Sequence, residues 1–166
     1  MKLKRRFVVL AGLCALSACG TKSKFRTYRG PEVTRVIINK GNREMYLLHH
    51  NRALKRYQVD LGFAPEGHKQ FEGDGKTPEG EYFIDRRNPN SSFHLSLGIS
   101  YPNEADIAYA KALGKTPGGD IFIHGEPNAL AFLSPDWTAG CISVKNREIE
   151  DVYAMVRDGT PITLNA

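Results

Sequence analysis

Two residues in the last third of the chain have the types and the spacing that acyl transfer requires. His124 ends the short run Asp120–His124, and Cys141 follows seventeen residues later, directly behind Gly140. A thiol is a strong nucleophile only as the thiolate, and a neighbouring imidazole is the usual device for forming it at neutral pH. We therefore predict that Cys141 attacks a carbonyl carbon and that His124 is its general base.

The residues beside this pair indicate how the backbone could support the reaction. The second ring nitrogen of His124 needs an acceptor, and the backbone carbonyl of Gly125 would serve. Gly140 lets the backbone approach a substrate closely, so amides near Cys141 could point at a developing oxyanion. We therefore expect Gly125 to orient His124 and the backbone at Gly140 to stabilise the oxyanion.

The N-terminus has the pattern of a bacterial lipoprotein signal. Basic Met1–Arg6 precedes the apolar run Phe7–Leu16, which is too short to span a bilayer as a permanent helix. The sequence Leu16–Cys19 resembles a lipobox, so we predict a signal peptide over residues 1–18 and lipidation of Cys19. An ordinary secretory signal with a chance cysteine is the alternative.

Lipidation would determine where the protein resides. Two or three acyl chains anchor a protein stably, whereas a single chain is marginal. Gly20 is not the aspartate that retains many such lipoproteins at the inner membrane. We therefore expect a protein of the bacterial periplasm, anchored by its lipid at the outer membrane, with residues 19–32 as a polar tether.

The cysteine count sets Cys141 apart. Cys14 and Cys19 lie in or next to the signal, so Cys141 is the only thiol of the remaining chain. Cysteines of exported proteins normally pair, which makes an unpaired one a candidate nucleophile. A buried, inert cysteine that packs as a small hydrophobic residue is the alternative, and the nearby glycine and histidine make it the weaker one.

The net charge excludes one class of partner. The full chain carries +5, but residues 1–18 contain four of its 23 basic residues and none of its 18 acidic ones. The mature chain has 19 basic against 18 acidic residues and is almost neutral. It has no basic patch interleaved with aromatic residues, so nucleic acid is not expected as a partner.

Residues 33–166 form one predicted domain, which is long enough for a single core. Within Phe93–Ile99 the alternation puts His94, Ser96 and Gly98 on one face. Alternating or β-branched runs bounded by turn residues predict the following strands: Val33–Asn39, Glu44–His49, Ala53–Leu61, Glu81–Asp85, Phe93–Ile99, Asp120–His124 and Pro161–Leu164.

Two short helices complete the predicted domain. Glu104–Leu113 is followed by Gly114, a residue type that commonly ends helices. The second helix, at about 146–157, has Asn146 as its expected N-cap. Its apolar residues recur at i, i+3, i+4 and i+7 and predict one face packed on the core: Ile149, Val152, Tyr153 and Val156.

The segment around the candidate pair resembles the catalytic motif of the L,D-transpeptidase (YkuD-type) family. That motif is a His-Gly, a spacer and then Ser/Thr-His-Gly-Cys; His124–Gly125 and Thr138–Cys141 match it apart from one position. Thr77–Gly80, followed by Tyr82, matches the family's upstream Thr-Pro-x-Gly element. The resemblance covers Val33–Leu164, the whole mature domain.

The resemblance implies a fold and a reaction. The fold would be mainly β, a sandwich of mixed sheets with one or two short helices. The partners would be peptidoglycan stem peptides, which lose D-alanine as a diaminopimelate acyl group forms a thioester on Cys141. Carbapenems would acylate the same thiol. His124 would be the base and Thr138 a further residue of the site, in a monomer without metal or cofactor.

Two positions depart from the family pattern. Ala139 stands where the family has a second histidine, and Ser143 replaces the usual Asn or Arg, so His124 is the only candidate base of the motif. Trp137–Ile142 is closer to a divergent branch, which includes an enzyme that hydrolyses the bond between diaminopimelate and an anchored lipoprotein. Transpeptidation and hydrolysis share the acyl-enzyme, so both stay open, with the transpeptidase slightly favoured.

Two other classes of function stay open as weaker alternatives. A zinc enzyme using His94, His124 and Cys141 is conceivable, although no HxxxH or CxxC spacing supports it. A non-catalytic lipoprotein that binds peptidoglycan is the other. Phe132 and Trp137, which lie between the candidate base and nucleophile, could form a lid or a cleft wall, or simply pack in the core.

Overall fold

The computed structural model describes residues 23–127 and 134–166. The predicted signal peptide and Cys19 therefore lie outside the described residues, as does Phe132. Within the described part, the strands are β1 (Arg35–Asn39), β2 (Glu44–His49), β3 (Arg52–Gln58), β4 (Gly80–Asn88), β5 (Ser96–Ile99), β6 (Phe122–His124), β7 (Ile142–Ser143) and β8 (Pro161–Asn165). The helices are α1 (Glu104–Ala112) and α2 (Asn146–Met155). Neither of these helices is long and apolar enough to cross a membrane.

The strands form a curled mixed sheet in the order β3-β2-β1-β8-β4-β5-β6-β7. Strands β1, β2 and β3 make an antiparallel meander, and β8 returns to pair in parallel with β1. The long strand β4 pairs first with β8 and then with β5, with a register shift between Ile84 and Arg86. Both halves of the sheet contribute to one buried core, so the predicted mainly β fold is confirmed.

Alternation places the core side chains. In β1, Val36 and Ile38 are fully buried while their neighbours are half-buried, and in β8 Ile162 and Leu164 repeat the pattern. A strand with one face on the core shows this period of two. Burying each such aliphatic side chain contributes about 1.5–3 kcal/mol, so the sheet centre is the stable platform of the domain.

Helix α2 closes the core beside β5 and β6, and its start differs from the prediction. Ile149, Val152 and Met155 are its buried residues. The N-cap is Lys145 rather than Asn146, and the Glu148 carboxylate accepts the Lys145 backbone N–H at 3.0 Å. The Asn146 side chain instead accepts the Glu126 backbone N–H at 2.9 Å. The Asn146 side chain thus holds the segment that follows β6. Its position in the sequence does not indicate this contact.

Strand β5 starts three residues later than predicted because the backbone turns at His94. His94 has a φ of 69°, in the left-handed region, which interrupts the alternation expected from Phe93 onward. Its ring Nε2 lies 3.0 Å from the Glu150 carboxylate on α2. The expectation that His94 shares a face with Ser96 is therefore wrong.

The described end of the predicted tether lies against the domain. Lys24 Nζ donates to the Pro89 carbonyl at 2.7 Å and to the His94 carbonyl at 2.9 Å. Arg26 forms ion pairs with Glu150, at 2.6 Å, and with the neighbouring Asp151. Residues 24–26 therefore join α2 to the segment that leads into β5.

A buried ammonium group ties the meander to the Thr-Pro-x-Gly element. Lys40 is 2% exposed, and its Nζ donates to the carbonyls of Gly67 (2.6 Å) and Thr77 (3.0 Å) and to the Glu79 carboxylate (2.7 Å). An ammonium has three N–H donors, so all of them are used. This contact holds the loop before β4 against the end of β1.

Replacing Lys40 with methionine should destabilise the domain. The change keeps the side chain's length but leaves the Glu79 carboxylate and two carbonyls without their donor, a loss of about 2–4 kcal/mol. Urea unfolding followed by circular dichroism measures it. Lys111→Met, on the exposed face of α1, is the matched control and should change stability by less than about 0.5 kcal/mol. Equal unfolding midpoints for the two variants would contradict the assigned role of Lys40.

Candidate active site

Parallel pairing of β6 and β7 brings the two candidate residues together. Ile123 pairs with Ile142 and His124 with Ser143, so Cys141, just before β7, lies beside Phe122. Both candidates line a cavity of about 310 Å³. Its other lining residues are mostly polar: Asn88, Ser91, Ser92, Phe93, Ser96, Asp120 and Phe122.

The His124 ring is held in one tautomer. Its Nδ1 lies 2.6 Å from the Gly125 carbonyl oxygen, which can only accept, so Nδ1 carries the proton and Nε2 is free to accept one. His124 as a whole is 4% exposed. Burial lowers the pKa of His124, and the hydrogen bond to the Gly125 carbonyl opposes this effect in part. The neutral ring at neutral pH is the form that can take a proton from a thiol.

The backbone of Gly125 is held from two sides, and a side chain would not fit there. Its N–H donates to the Phe93 carbonyl at 3.0 Å. A Cβ at this position would lie 2.4 Å from the Asn146 side-chain oxygen and 2.9 Å from the Phe93 carbonyl. Ser143 Oγ also lies 3.5 Å from the Gly125 carbonyl. The acceptor for His124 is therefore fixed by the segment that precedes β5, by β7 and by α2 together.

Two aromatic side chains pack against the His124 ring. The centroid of Phe93 lies 4.5 Å and that of Trp137 5.6 Å from the imidazole centroid. The Phe93 and Trp137 rings also contact each other, with centroids 5.8 Å apart. Trp137 therefore supports the imidazole from outside the cavity lining.

The Cys141 thiol is partly exposed at the cavity and protonated at rest. Its Sγ lies 3.5 Å from the Asp120 carbonyl oxygen. Burial raises the pKa of Cys141, whereas a hydrogen bond from the Phe122 backbone amide and the charge of Lys69 lower it. Because burial is the largest of these effects, the thiol needs a base in order to react at neutral pH.

The turn before Cys141 is braced by Thr138. Thr138 Oγ1 donates to the Cys141 carbonyl at 2.7 Å and accepts the Gly140 N–H at 3.2 Å. Gly140 has a φ of 129°, and a Cβ there would lie 2.6 Å from the Lys76 carbonyl. Glycine is therefore required, but its amide hydrogen is used inside the turn. The Gly140 N–H is thus already bonded to Thr138, and the expectation that the backbone near Cys141 stabilises an oxyanion stays a prediction.

The Thr-Pro-x-Gly element lies behind this turn. The Lys76 carbonyl faces Gly140, and the next residue, Thr77, accepts the Gly62 N–H at 3.0 Å through its hydroxyl. Gly62 in turn bridges to Thr138. The upstream element thus positions the backbone of the catalytic turn and does not reach the cavity that contains His124.

Asp136 is a supporting residue that sequence analysis missed. Its carboxylate accepts hydrogen bonds from Arg43 Nε at 3.0 Å and from a terminal guanidinium nitrogen at 2.7 Å. It also accepts the Leu61 N–H at 3.0 Å. These bonds fix the residue before Trp137, and their partners lie far away in the sequence.

The arrangement required for the zinc alternative is absent from the described residues. No group of three or more His, Cys, Asp or Glu side chains among residues 23–127 and 134–166 could hold a metal ion. His94, the third ligand proposed for zinc, faces Glu150 instead.

Comparison with known sequences indicates the family. The family model described as the L,D-transpeptidase catalytic domain (YkuD) matches residues 33–164. YafK of Escherichia coli K12, provisionally named an L,D-transpeptidase, is 30% identical over 115 residues, which are 68% of this chain but 39% of YafK. The provisionally named L,D-transpeptidase YkuD of Bacillus subtilis is 26% identical over 132 residues, covering 78% of this chain and 65% of that protein.

Solved structures show the same fold. Pgp2 of Campylobacter jejuni, a helical cell shape determining protein, aligns with a TM-score of 0.64 at 28% identity, covering 87% of this chain and 51% of Pgp2. An L,D-transpeptidase from Xylanimonas cellulosilytica aligns with a TM-score of 0.52 at 15% identity, which supports the fold alone. The chain thus spans about half of Pgp2 and less of YafK. It belongs to the YkuD family of L,D-transpeptidase catalytic domains.

Proposed function

We propose that this protein transfers acyl groups of peptidoglycan stem peptides through a thioester on Cys141. The observation that carries the proposal is the shared cavity of Cys141 and His124, with His124 Nδ1 bound to the Gly125 carbonyl and Nε2 free. Membership in the L,D-transpeptidase family supports the choice of substrate. The similarity to a cell shape determining protein agrees with a role in the cell wall.

In the first half-reaction, His124 Nε2 takes the thiol proton while Sγ attacks the carbonyl carbon between diaminopimelate and D-alanine. The imidazolium then gives this proton to the departing amine of D-alanine, and the thioester remains. Burial raises the pKa of Cys141 and lowers that of His124, which disfavours a resting thiolate–imidazolium pair. Proton transfer therefore accompanies formation of the carbon–sulfur bond.

The oxyanion needs a donor other than the Gly140 amide. Cys141 lies just before β7, and its N–H donates to no acceptor among the described residues. Thr138 binds the peptide groups on both sides of this N–H, through the Gly140 N–H and the Cys141 carbonyl. We assign the Cys141 amide to the developing oxyanion. Thr138 then acts as a positioning residue that sets the direction of this amide.

An amine resolves the thioester in a transpeptidase, and water resolves it in a hydrolase. We favour the amine, with a second diaminopimelate side chain as acceptor. Hydrolysis is the second candidate, because the cavity that His124 and Cys141 share is lined mostly by polar residues and would admit water beside the base. Water could approach the thioester from that side.

We further propose that Cys19 carries a lipid anchor and that the domain works in the periplasm at the outer membrane. The proposal rests on the lipoprotein-like sequence of residues 1–19. A short tether would keep the domain within reach of peptidoglycan while the lipid holds it at the membrane.

Muropeptide mass analysis tests the reaction. Sacculi that carry free tetrapeptides and attached lipoprotein remnants are incubated with the domain lacking Cys19 or with its Cys141→Ala variant. New diaminopimelate–diaminopimelate cross-links, absent with the variant, are expected, because alanine has no nucleophile to carry the acyl group. Loss of remnants or cross-links without new ones would assign the hydrolase, and no change with either protein would contradict the proposal.

Replacing His124 with glutamine should slow acylation of Cys141 by about 10²- to 10⁴-fold, because the general base is lost while a polar side chain remains. Intact-protein mass spectrometry after exposure to a carbapenem measures the acylation rate. His94→Gln is the matched control, since that ring faces Glu150 outside the cavity. The role of His124 is rejected if both variants acylate at the same rate.

The pH dependence of acylation should follow the lowered pKa of His124. Protonation of the ring removes the base, so the rate falls as the pH drops through this pKa, which lies below the ordinary value of about 6.5. Alkylation of free Cys141 by iodoacetamide should rise only above the ordinary cysteine pKa of about 8.5, because burial raises it. An acid limb centred above pH 7 would contradict this arrangement.

A further inference from the structure

A second cavity adjoins Cys141, and it does not include the candidate base. Its volume is about 400 Å³, and it shares only Cys141 and Asp120 with the cavity that contains His124. We call it the Lys69 cavity. Its lining residues include two charged side chains, three glycines and the exposed alanine of the catalytic turn: Lys69, Glu72, Gly73, Gly118, Gly119 and Ala139.

Lys69 is a buried ammonium group with a donor to spare. It is 3% exposed, and its Nζ donates to the Asp74 carboxylate at 2.9 Å and to the Phe71 carbonyl at 3.1 Å. An ammonium has three N–H donors, and the third has no acceptor among the described residues. A buried donor of this kind favours a ligand that supplies an anionic oxygen.

The ammonium group is held rigidly. The Asp74 carboxylate that binds it also accepts the backbone N–H groups of Gln70, at 2.6 Å, and Lys76, at 3.0 Å. The side chain of Asp74 is 5% exposed, so water does not compete freely for these bonds. Little side-chain entropy therefore remains to be lost when Lys69 Nζ binds a ligand.

Proton transfer determines which part of the substrate each cavity receives. His124 must give its proton to the departing amine and must take one from the incoming amine, so both amines occupy the cavity that His124 lines. The acyl residue stays on Sγ throughout. Two parts of the donor are then left for the Lys69 cavity, the side chain of the acyl residue and the peptide on its amino side. The side chain has a free end, whereas that peptide continues toward the glycan strand, so we assign the side chain to the cavity.

We propose that the Lys69 cavity binds the side chain of the acyl residue through a free carboxylate, which accepts the third N–H of Lys69. The assignment rests on the proposed acyl transfer. Diaminopimelate fits because its side chain ends in a carboxylate and an amine on one carbon. Glu72, exposed in the same cavity, supplies the charge that such an ammonium would pair with. A lysine acyl residue lacks the carboxylate.

The test compares two tetrapeptide donors that differ only at the side-chain end, diaminopimelate and its carboxamide. Release of D-alanine, followed by mass spectrometry, yields kcat/KM for each. The wild-type protein should prefer the carboxylate by about tenfold or more, the usual value of a hydrogen bond between charged groups. Lys69→Met should bring the ratio close to one, and Lys69→Arg should keep part of it. Lys111→Met, on the exposed face of α1, should leave both rates unchanged.

A second pair of variants leaves the buried ion pair between Lys69 and Asp74 unchanged. A Cβ at Gly119 meets no atom within 4 Å, so a side chain fits there without strain. Gly119→Asp adds a competing carboxylate to the cavity and should lower the preference for the carboxylate donor at least several-fold, whereas Gly119→Asn, of the same size, should not. These variants decide the question if Lys69→Met does not fold.

The outcomes separate the two proposals. If the wild-type protein releases D-alanine from neither donor, acyl transfer is wrong and the role of Lys69 falls with it. If it uses both donors equally, acyl transfer stands and the carboxylate site is overturned. A folded Lys69→Met that keeps the preference, or Asp and Asn variants of Gly119 with equal ratios, would also overturn it.

Discussion

The hydrogen bond between His124 Nδ1 and the Gly125 carbonyl is the contact on which the site depends. A carbonyl can only accept, so this one contact determines the tautomer and leaves Nε2 without a proton. Much of the neighbouring structure holds that carbonyl in place: Phe93 bonds the Gly125 amide, and Ser143 and Asn146 lie against the residue. A backbone carbonyl here occupies the place that a carboxylate has in Ser-His-Asp triads.

The partner of the His124 ring is a neutral carbonyl and not a carboxylate, and this difference affects the charge of the ring. A carboxylate beside the ring would stabilise the imidazolium and raise its pKa. The neutral carbonyl of Gly125 only partly offsets burial, so His124 stays uncharged, and burial likewise keeps Cys141 as the thiol. The two candidate residues themselves are therefore uncharged at neutral pH, and in the proposed reaction they would become charged only as bonds change.

Local patterns predicted most strands, both helices and the candidate pair, because these depend on neighbours in the sequence. The contacts that position the pair depend on distant partners. Arg43 and Asp136 meet from opposite ends of the domain, and neither residue type is unusual where it stands. His94 departs from a good alternating pattern because the turn before β5 needs a left-handed residue. Asn146 was predicted as the N-cap because asparagine is common at that position. Its side chain instead accepts the Glu126 N–H, a contact that spacing in the sequence does not indicate.

The parallel register of β6 and β7 also bears on how such a domain can change over evolutionary time. His124 and Cys141 are aligned by pairing between strands, and the contacts of the connection that support them lie in its last part, from Asp136 to Gly140, so that the earlier part only has to lead into this turn. Lengthening that connection adds little entropic cost, since loop closure depends weakly on length. A slip of one residue in β7 would turn Cys141 to the opposite face of the sheet. Insertions are therefore tolerable between the two residues, while a single deletion inside β7 would separate them.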